Sequence, residues 1–138
     1  MKKVFGILMI VAATMTISSC AKYDEGSNFT LLSAKSRVIN VWKVSAWTAN
    51  GQDLMATNTI DQIDVKKDNT VSMTNVYPII GSIVDNGTWA FNDDKSILIW
   101  TKENGSITEY TILKLTKDEM KLSNTSNSVT YIMTLVTK

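Results

Sequence analysis

The fold of this chain is decided by the stretch Tyr110-Thr111-Ile112-Leu113-Lys114-Leu115-Thr116-Lys117-Asp118-Glu119-Met120-Lys121-Leu122. Apolar and polar residues alternate on both sides of Lys117-Asp118, and a period of two is the pattern of a strand with one buried face. The polar pair predicts a tight turn between two antiparallel strands. Ile112-Leu113 interrupts the alternation, which indicates a bulge or a helix packed on the outer surface.

The same pattern extends over residues 41–137, where runs of Val, Ile, Thr, Tyr and Trp are separated by Asn, Asp and Gly clusters. Seven breaks are predicted at Asn50-Gly51-Gln52-Asp53, Asp68-Asn69, Asp85-Asn86-Gly87, Asn92-Asp93-Asp94, Asn104-Gly105, Lys117-Asp118 and Asn124 to Asn127. They separate eight predicted strands: Val41–Ala49, Thr59–Lys66, Val71–Tyr77, Thr88–Phe91, Ser96–Lys102, Ile107–Leu115, Glu119–Ser123 and Val129–Thr137. A short helix over residues 30–39 is predicted before them, with Asn28 or Thr30 as its N-cap.

The short connections favour pairing between neighbouring strands, and closing such a meander removes its unpaired edges. The predicted fold class is therefore all-β, an eight-stranded antiparallel up-and-down barrel with a short N-terminal helix that closes one end. Alternation predicts that Trp42, Val44 and Ala46 share the inner face of the first strand.

Three motifs resemble the lipocalin-like domain of small bacterial lipoproteins: Asn40-Val41-Trp42-Lys43-Val44, Asn86-Gly87-Thr88-Trp89-Ala90-Phe91 and the stretch Tyr110–Leu122. Their order and spacing match over about residues 30–138. The resemblance implies a lipocalin-like barrel in which Trp42 packs across the barrel floor. It also implies ligand binding, and it carries no catalytic residues.

The N-terminus resembles the signal of a bacterial lipoprotein. Lys2 and Lys3 precede an apolar run from Val4 to Ile17 that is shorter than the roughly 20 residues needed to span a bilayer. The following Ile17-Ser18-Ser19-Cys20 resembles a lipobox, and Cys20 has no second cysteine to pair with. We expect a signal peptide over residues 1–19, lipidation at Cys20, a flexible tether over residues 20–29 and the barrel domain over residues 30–138.

The predicted lipid anchor makes a membrane the first expected partner. Asp24-Glu25 follows Cys20 closely. This pair either belongs to an ordinary polar spacer or resembles the acidic export signals of some Gram-negative lipoproteins. The expected location is the outer membrane, at its periplasmic or cell-surface face.

The composition excludes several function classes. Removing Lys2 and Lys3 with the signal leaves 12 cationic and 13 acidic side chains, without the basic excess of a nucleic-acid-binding protein. The chain has no histidine, and its only thiol is assigned to lipid. We therefore predict no cofactor, no metal site and no catalytic residue. The carboxylates that could form a hydrolytic pair lie in or beside predicted turns: Asp93, Asp94, Glu103 and Glu109.

The predicted ligand site is the barrel interior, because an eight-stranded barrel either fills with side chains or holds one small ligand. Flexible methionines and large aromatic residues suit an adaptable apolar site. The residues predicted to line it are Trp42, Val44, Val65, Met73, Trp89, Phe91, Tyr110, Tyr131 and Met133. The alternative is that these residues simply form a core.

Two long connections offer a second candidate surface. Residues 50–58 carry Leu54-Met55, and residues 77–84 are apolar and contain the only proline. At one mouth of the barrel they would form an apolar rim for a protein partner. Alternatively, the second connection extends the flanking strands, with Ile79, Gly81 and Ile83 packed inward. Two functions thus remain open: binding of a small hydrophobic ligand, or protein interaction as an accessory subunit of an outer-membrane assembly or a hydrolase inhibitor.

Overall fold

The computed structural model describes Tyr23 and residues 32–138. The elements are α1 (Ala34–Val38), β1 (Asn40–Ala49), β2 (Gln52–Asp53), β3 (Ile60–Val65), β4 (Thr70–Tyr77), β5 (Gly81–Phe91), β6 (Ile97–Lys102), β7 (Ile107–Leu115), β8 (Glu119–Ser126) and β9 (Val129–Thr137). A 3-10 helix, Met55–Thr57, precedes β3. The predicted signal peptide, Cys20 and most of the predicted tether lie outside the described residues. Within the described part, no helix has the length and hydropathy to cross a membrane.

The strands form a closed antiparallel barrel, as predicted. Each strand from β3 to β9 pairs with its neighbour, and β1 pairs with both β3 and β9, which closes the sheet. The two-residue strand β2 folds back on the end of β1 as an extra element. Asn50 and Gly51 connect them with φ values of 45° and 81°, the backbone that an Asn-Gly hairpin turn requires.

One end of the barrel is closed by α1. The side chain of Ser33 accepts a hydrogen bond from Ser36 N at 3.1 Å, so Ser33 is the N-cap and the prediction of Asn28 or Thr30 was wrong. Arg37 donates through Nη1 to the carbonyl of Leu115, and Trp42 Nε1 donates to the carbonyl of Val38 at 2.8 Å. These bonds fasten the helix across the strand ends.

We call this the closed end and the other the open end. Because consecutive strands are antiparallel, the connections alternate between the two ends. The closed end has α1 and the connections after β3, β5 and β7, whereas the open end has those after β1, β4, β6 and β8.

Most of the largest fully buried side chains lie toward the closed end. The largest are Trp42, Ile63, Leu98, Met120, Leu122, Leu135, Val38 and Val65. Burying each such side chain contributes about 1.5–3 kcal/mol. The predicted burial of Trp42 and Trp89 is confirmed, with exposed fractions of 0% and 3%.

Three of the turns use one sequence device. Asp68, Asp94 and Asn104 each accept, through side-chain Oδ1, a hydrogen bond from the backbone N–H two residues later, at 3.0, 3.0 and 2.9 Å. The residue between donor and acceptor has a positive φ in each case: Asn69, Lys95 and Gly105. Such side-chain-stabilised turns explain why these predicted breaks are correct.

One predicted break was wrong and another begins too early. The break predicted at Asn124 to Asn127 is limited to its last residue, because β8 continues to Ser126. Asp85-Asn86-Gly87 lies inside β5, and the chain turns earlier, between Tyr77 and Gly81. Gly81 has the positive φ, 79°. Gly87 is needed for another reason: a Cβ there would lie 2.3 Å from the carbonyl oxygen of Thr101 on β6. Strand β5 therefore begins seven residues before the predicted Thr88.

Bulges reset the inward-facing register of three strands. The predicted irregularity in β7 is confirmed as a register shift between Ile112 and Lys114. A second shift lies between Val44 and Ala46, and a third between Ile60 and Gln62. After the second, Trp47 pairs with the buried Met133, so Trp47 continues the inner face of β1 and the prediction for Ala46 was wrong.

Candidate functional site: two cavities in the open half of the barrel

The interior near the open end is hollow. The first cavity has a volume of about 250 Å³ and is lined by Trp47, Ile60, Met73, Tyr110, Leu122, Asn124, Tyr131 and Met133. The second has a volume of about 220 Å³ and is lined by Ile60, Val71, Met73, Asp85, Asn86, Gly87, Trp100, Thr101, Lys102, Thr108 and Tyr110. The side chains of Ile60, Met73 and Tyr110 form a wall that both cavities share, so the two spaces are adjacent.

The two cavities have the character of a small-molecule site. Ligand pockets occupy about 300–1,000 Å³, and the two spaces together reach the lower part of that range. Large apolar and aromatic side chains form most of the first wall, and the residues of the second wall include Thr101 and Thr108. A polar groove of about 580 Å³ also lies between β6, β7 and β8, but exposed Ile107, Glu109 and Ser126 line it on the outer surface.

Four of the nine predicted ligand-binding residues line the first cavity. These four are Met73, Tyr110, Tyr131 and Met133. The core cluster contains Trp42, Val44, Val65, Trp89 and also Met133, and Phe91, Met73 and Tyr110 pack against it. Phe91 packs edge-on against Trp89 with ring centroids 5.6 Å apart.

Hydrogen bonds explain why the two tryptophans of the core are fixed. Trp42 Nε1 donates to Val38 as described above, and Trp89 Nε1 donates to the carbonyl of Lys66 at 2.9 Å. Lys35 lies over the ring of Trp89 at 5.7 Å from its centroid. Buried indoles whose N–H groups are hydrogen-bonded stabilise the closed end of the barrel.

Sequence reasoning gave no inward direction to three large side chains of the cavity walls, Trp47, Ile60 and Trp100. Trp47 and Ile60 reach the interior because bulges follow Val44 and Ile60 itself, and simple alternation does not count the extra residue. Trp100 lies on β6, whose segment Ile97 to Trp100 is apolar on both faces, so alternation could not choose its direction. Pairing of β6 with β5 brings Trp100 opposite the inward-facing Trp89.

The polar groups of the second cavity are few. Trp100 packs against Tyr110 with ring centroids 4.8 Å apart. Burial raises the pKa of the Tyr110 hydroxyl above its ordinary value of 10.0, so this group is neutral at physiological pH. The charged residues of the wall, Asp85 and Lys102, are exposed at its outer edge.

The open end also carries an apolar hairpin. The turn between β4 and β5 and its flanking residues expose Val76, Ile79, Ile80, Ile83 and Val84. The expected extension of the strands is correct, but the inward packing of Ile79 and Ile83 is not, since Ile79 is 95% exposed. In the other predicted rim segment, Met55 packs against the core and Leu54 is half-buried.

The closed end holds a residue from the predicted tether. Tyr23 is buried in the core cluster, and its hydroxyl donates to the carbonyl of Lys95 at 3.2 Å. The guanidinium of Arg37 lies 5.7 Å from the centre of the Tyr23 ring. Burial, opposed in part by Arg37, raises the pKa of Tyr23.

The acidic side chains considered for hydrolysis lie away from the cavities. Asp93, Asp94, Glu103 and Glu109 are all exposed. Within Tyr23 and residues 32–138, no cluster of three or more acidic or cysteine side chains could hold a metal ion.

The closed barrel, the helix α1 at one end and the hollow open half together define a lipocalin-like architecture. A sequence profile described as the lipocalin-like domain matches residues 38–122, and the chain belongs to this family. Its fold is similar to that of a lipocalin-like protein from Bacteroides uniformis, with a TM-score of 0.60 and 8% identity over 74% of this chain and 99% of that one.

A second solved structure supports the same fold. An uncharacterized protein from Bacteroides eggerthii superposes with a TM-score of 0.51 and 10% identity, over 70% of this chain and 97% of that one. No curated protein matches the sequence.

Proposed function

We propose that this protein binds a small, mainly apolar molecule inside the open half of its barrel. The observation that carries the proposal is the pair of adjacent cavities, of about 250 and 220 Å³, on the shared wall of Ile60, Met73 and Tyr110. Such apolar spaces with a few polar groups are typical of ligand sites.

The contrast within the barrel supports this proposal. Side chains fill the closed half until Trp42, Ile63 and Leu98 have no exposed surface. The same barrel leaves Met73 and Tyr131 only partly covered near the open end. Protein interiors are normally packed to crystal density, so unfilled apolar space at one end favours a binding role.

A binding role also fits the available chemistry. Lipocalin-like folds are generally non-enzymatic. The cavity walls contain no paired carboxylates, and the chain has no histidine to act as a general base. We therefore propose a binding protein that performs no reaction on its ligand.

We further propose that lipid on Cys20 anchors the protein to the outer membrane, with the open end facing away from the lipid. Tyr23 packs at the closed end, beside Arg37 and Lys95. Cys20 precedes Tyr23 by three residues, which span at most about 11 Å, so the proposed anchor would hold the closed end toward the membrane. A diacylglyceryl group supplies the two acyl chains that stable anchoring needs.

The anchor is tested by Cys20→Ser in cells fed a labelled fatty acid. The expected result is loss of label and release of the protein to a soluble or uncleaved pool. Continued labelling of this variant would overturn the anchor.

The ligand site is tested with the neutral fluorescent probe N-phenyl-1-naphthylamine and the full lipoprotein in phosphatidylcholine liposomes. Binding is read from quenching of tryptophan fluorescence. Met73→Gln keeps the side-chain length but puts an amide in an apolar wall. The unpaired amide is expected to weaken binding by about tenfold. Ile83→Gln on the exposed hairpin is the matched control and should leave the affinity unchanged.

A second candidate function rests on the hairpin. Residues 82–85 of β5 pair with β4 on one side, and the pairing with β6 begins only at Gly87. No residue from Val71 to Val84 is charged, so the usual protection of a strand edge is missing. An open backbone edge is complemented by another strand, which favours a partner polypeptide at this edge.

This second function is tested by a photo-crosslinking amino acid at Ile83 in cells. A crosslinked polypeptide is expected at Ile83 and not at Ile107, an exposed isoleucine on the barrel wall. Val84→Lys should abolish the product because it adds a charge to the edge. Equal crosslinking at Ile107, or a product insensitive to Val84→Lys, would overturn the docking role.

A further inference from the structure

A residue in the wall of the second cavity carries a buried, unpaired hydrogen-bond donor. Trp100 is 6% exposed and forms part of the cavity wall. Its Nε1 is the only buried side-chain nitrogen or oxygen among the described residues that has no hydrogen-bond partner. Buried indole N–H groups usually find an acceptor, so this one needs an explanation.

The other buried tryptophans show that the fold can satisfy such a group. The carbonyls of Val38 and Lys66 accept the N–H groups of Trp42 and Trp89 at the closed end. The unpaired indole is that of Trp100, which borders the second cavity. The edge-on contact with Tyr110 holds the Trp100 ring in the wall, and its buried N–H becomes available to a ligand when the side chains that cover it move aside.

We propose that the ligand carries an uncharged oxygen acceptor, such as a ketone, ester or amide carbonyl, that accepts a hydrogen bond from Trp100 Nε1. This inference rests on the proposed ligand-binding function and specifies its chemistry. The apolar body of the ligand lies against Ile60, Met73 and Tyr110, and the carbonyl lies against β6.

The surroundings of Trp100 favour an uncharged acceptor over a carboxylate. A buried carboxylate needs a cation or several donors to offset its lost hydration. Lys102, the only cation of this wall, is exposed at the edge, and Asp85 on the same wall repels an anion. A single neutral donor is sufficient to replace the hydrogen bond with water that a carbonyl loses on burial.

The test compares three naphthalenes as competitors of N-phenyl-1-naphthylamine on the full lipoprotein in liposomes. The ketone 2-acetylnaphthalene and the hydrocarbon 2-isopropylnaphthalene have nearly the same shape, and 2-naphthoate adds a charge. One net hydrogen bond predicts that the ketone binds about 5–10-fold more tightly than the hydrocarbon. The carboxylate should bind more weakly than the ketone.

The matched variants are Trp100→Phe and Trp47→Phe. Trp100→Phe should remove the preference for the ketone over the hydrocarbon. Trp47→Phe replaces another tryptophan of the cavity walls and should preserve the preference. In ¹⁵N-labelled wild-type protein in lipid nanodiscs, the ketone should shift the Trp100 indole N–H resonance downfield, and the hydrocarbon should not.

Equal affinity for ketone and hydrocarbon in the wild type overturns this inference and leaves the proposed function intact. The same holds if the preference persists in Trp100→Phe, or if the carboxylate binds best. If Trp100→Phe does not fold, the wild-type preference and the indole shift still decide. Failure of all three compounds and of the probe to bind overturns the proposed function as well.

Discussion

The closed and open halves of this barrel use the same strands for different purposes. At the closed half, α1 covers the strand ends, Trp42 has no exposed surface, and its indole N–H is hydrogen-bonded. At the open half, the strands enclose unfilled space. Beside the second cavity, the indole of Trp100 has no acceptor among the described residues. The difference indicates that stability is concentrated at one end of the barrel and ligand binding at the other.

The arrangement has a simple physical reason. Burial of apolar surface stabilises a barrel wherever it occurs. A well-packed closed half can therefore compensate for an incompletely filled open half. Residues of the open half are then free to serve a ligand.

The largest expected effect is on the closed half. Trp42→Ala should lower the free energy of unfolding by about 3–5 kcal/mol, because it empties the centre of the floor and removes the bond to Val38. Met73→Ala on the cavity wall should cost less than half as much, since that side chain already borders open space. Urea denaturation of both variants measures the difference. Equal losses would contradict the division between the two halves.

The attachment of the helix comes next. Arg37→Met should cost about 1.5–3 kcal/mol, because the buried guanidinium donates to the Leu115 carbonyl and faces Tyr23. The control is Lys35→Met, which removes an exposed contact with Asn69 and should cost about 0.5–1 kcal/mol. The same urea series compares them. If Lys35→Met lowered the free energy of unfolding as much as Arg37→Met does, the helix would not be held through Arg37.

The close contact between β5 and β6 allows a third comparison, between two neighbouring positions of β5. Gly87→Ala should destabilise the protein by about 1–3 kcal/mol, because the new methyl group would press on the carbonyl of Thr101. Thr88→Ala, at the exposed neighbouring position, should stay within about 0.5 kcal/mol. Thermal denaturation distinguishes the two. A neutral Gly87→Ala would mean that the strands separate easily at the second cavity.

The smallest expected effect is on a turn of the closed end. Hydrogen bonds from Thr70 lower the pKa of Asp68 below its ordinary value of 3.8. A carboxyl whose pKa is lower in the folded state stabilises the protein above pH 3.8, and this stability is lost as the pH falls through the folded-state pKa. Asp68→Asn should therefore slightly reduce the melting temperature at pH 7. The melting temperature of this variant should also decrease less than that of the wild type when the pH is lowered. Asp93→Asn, at an exposed position in another turn, should change neither, and a similar response from both variants would contradict the role of Thr70.

The sequence was sufficient for the barrel because its strands and most turns are specified locally. Asn50-Gly51 adopts the positive φ values its residues favour, and Asp68-Asn69 is stabilised by a side chain two residues before its donor. Asn86-Gly87 resembles the same signal but lies inside β5, because its glycine serves a contact with Thr101 on another strand. A close approach of this kind is not encoded in local residue preference.

The cavity walls were less predictable because inward direction depends on bulges. The extra residue between Val44 and Ala46 turns Trp47 inward, and no local pattern marks it. The division of the interior into filled and hollow halves depends on how α1 and side chains from six or more strands meet. Alternation assigns a face to each residue but does not assign a height along the barrel axis.

Methionine methyl groups provide one decisive measurement of this division. The lipoprotein is labelled at methionine ¹³C-methyl groups, placed in lipid nanodiscs and titrated with N-phenyl-1-naphthylamine. The resonances of Met73 and Met133 should shift with the probe, because both line the first cavity, and that of fully buried Met120 should stay unchanged. Saturable quenching of tryptophan fluorescence without shifts at Met73 and Met133, or with an equal shift at Met120, would contradict a binding site confined to the open half.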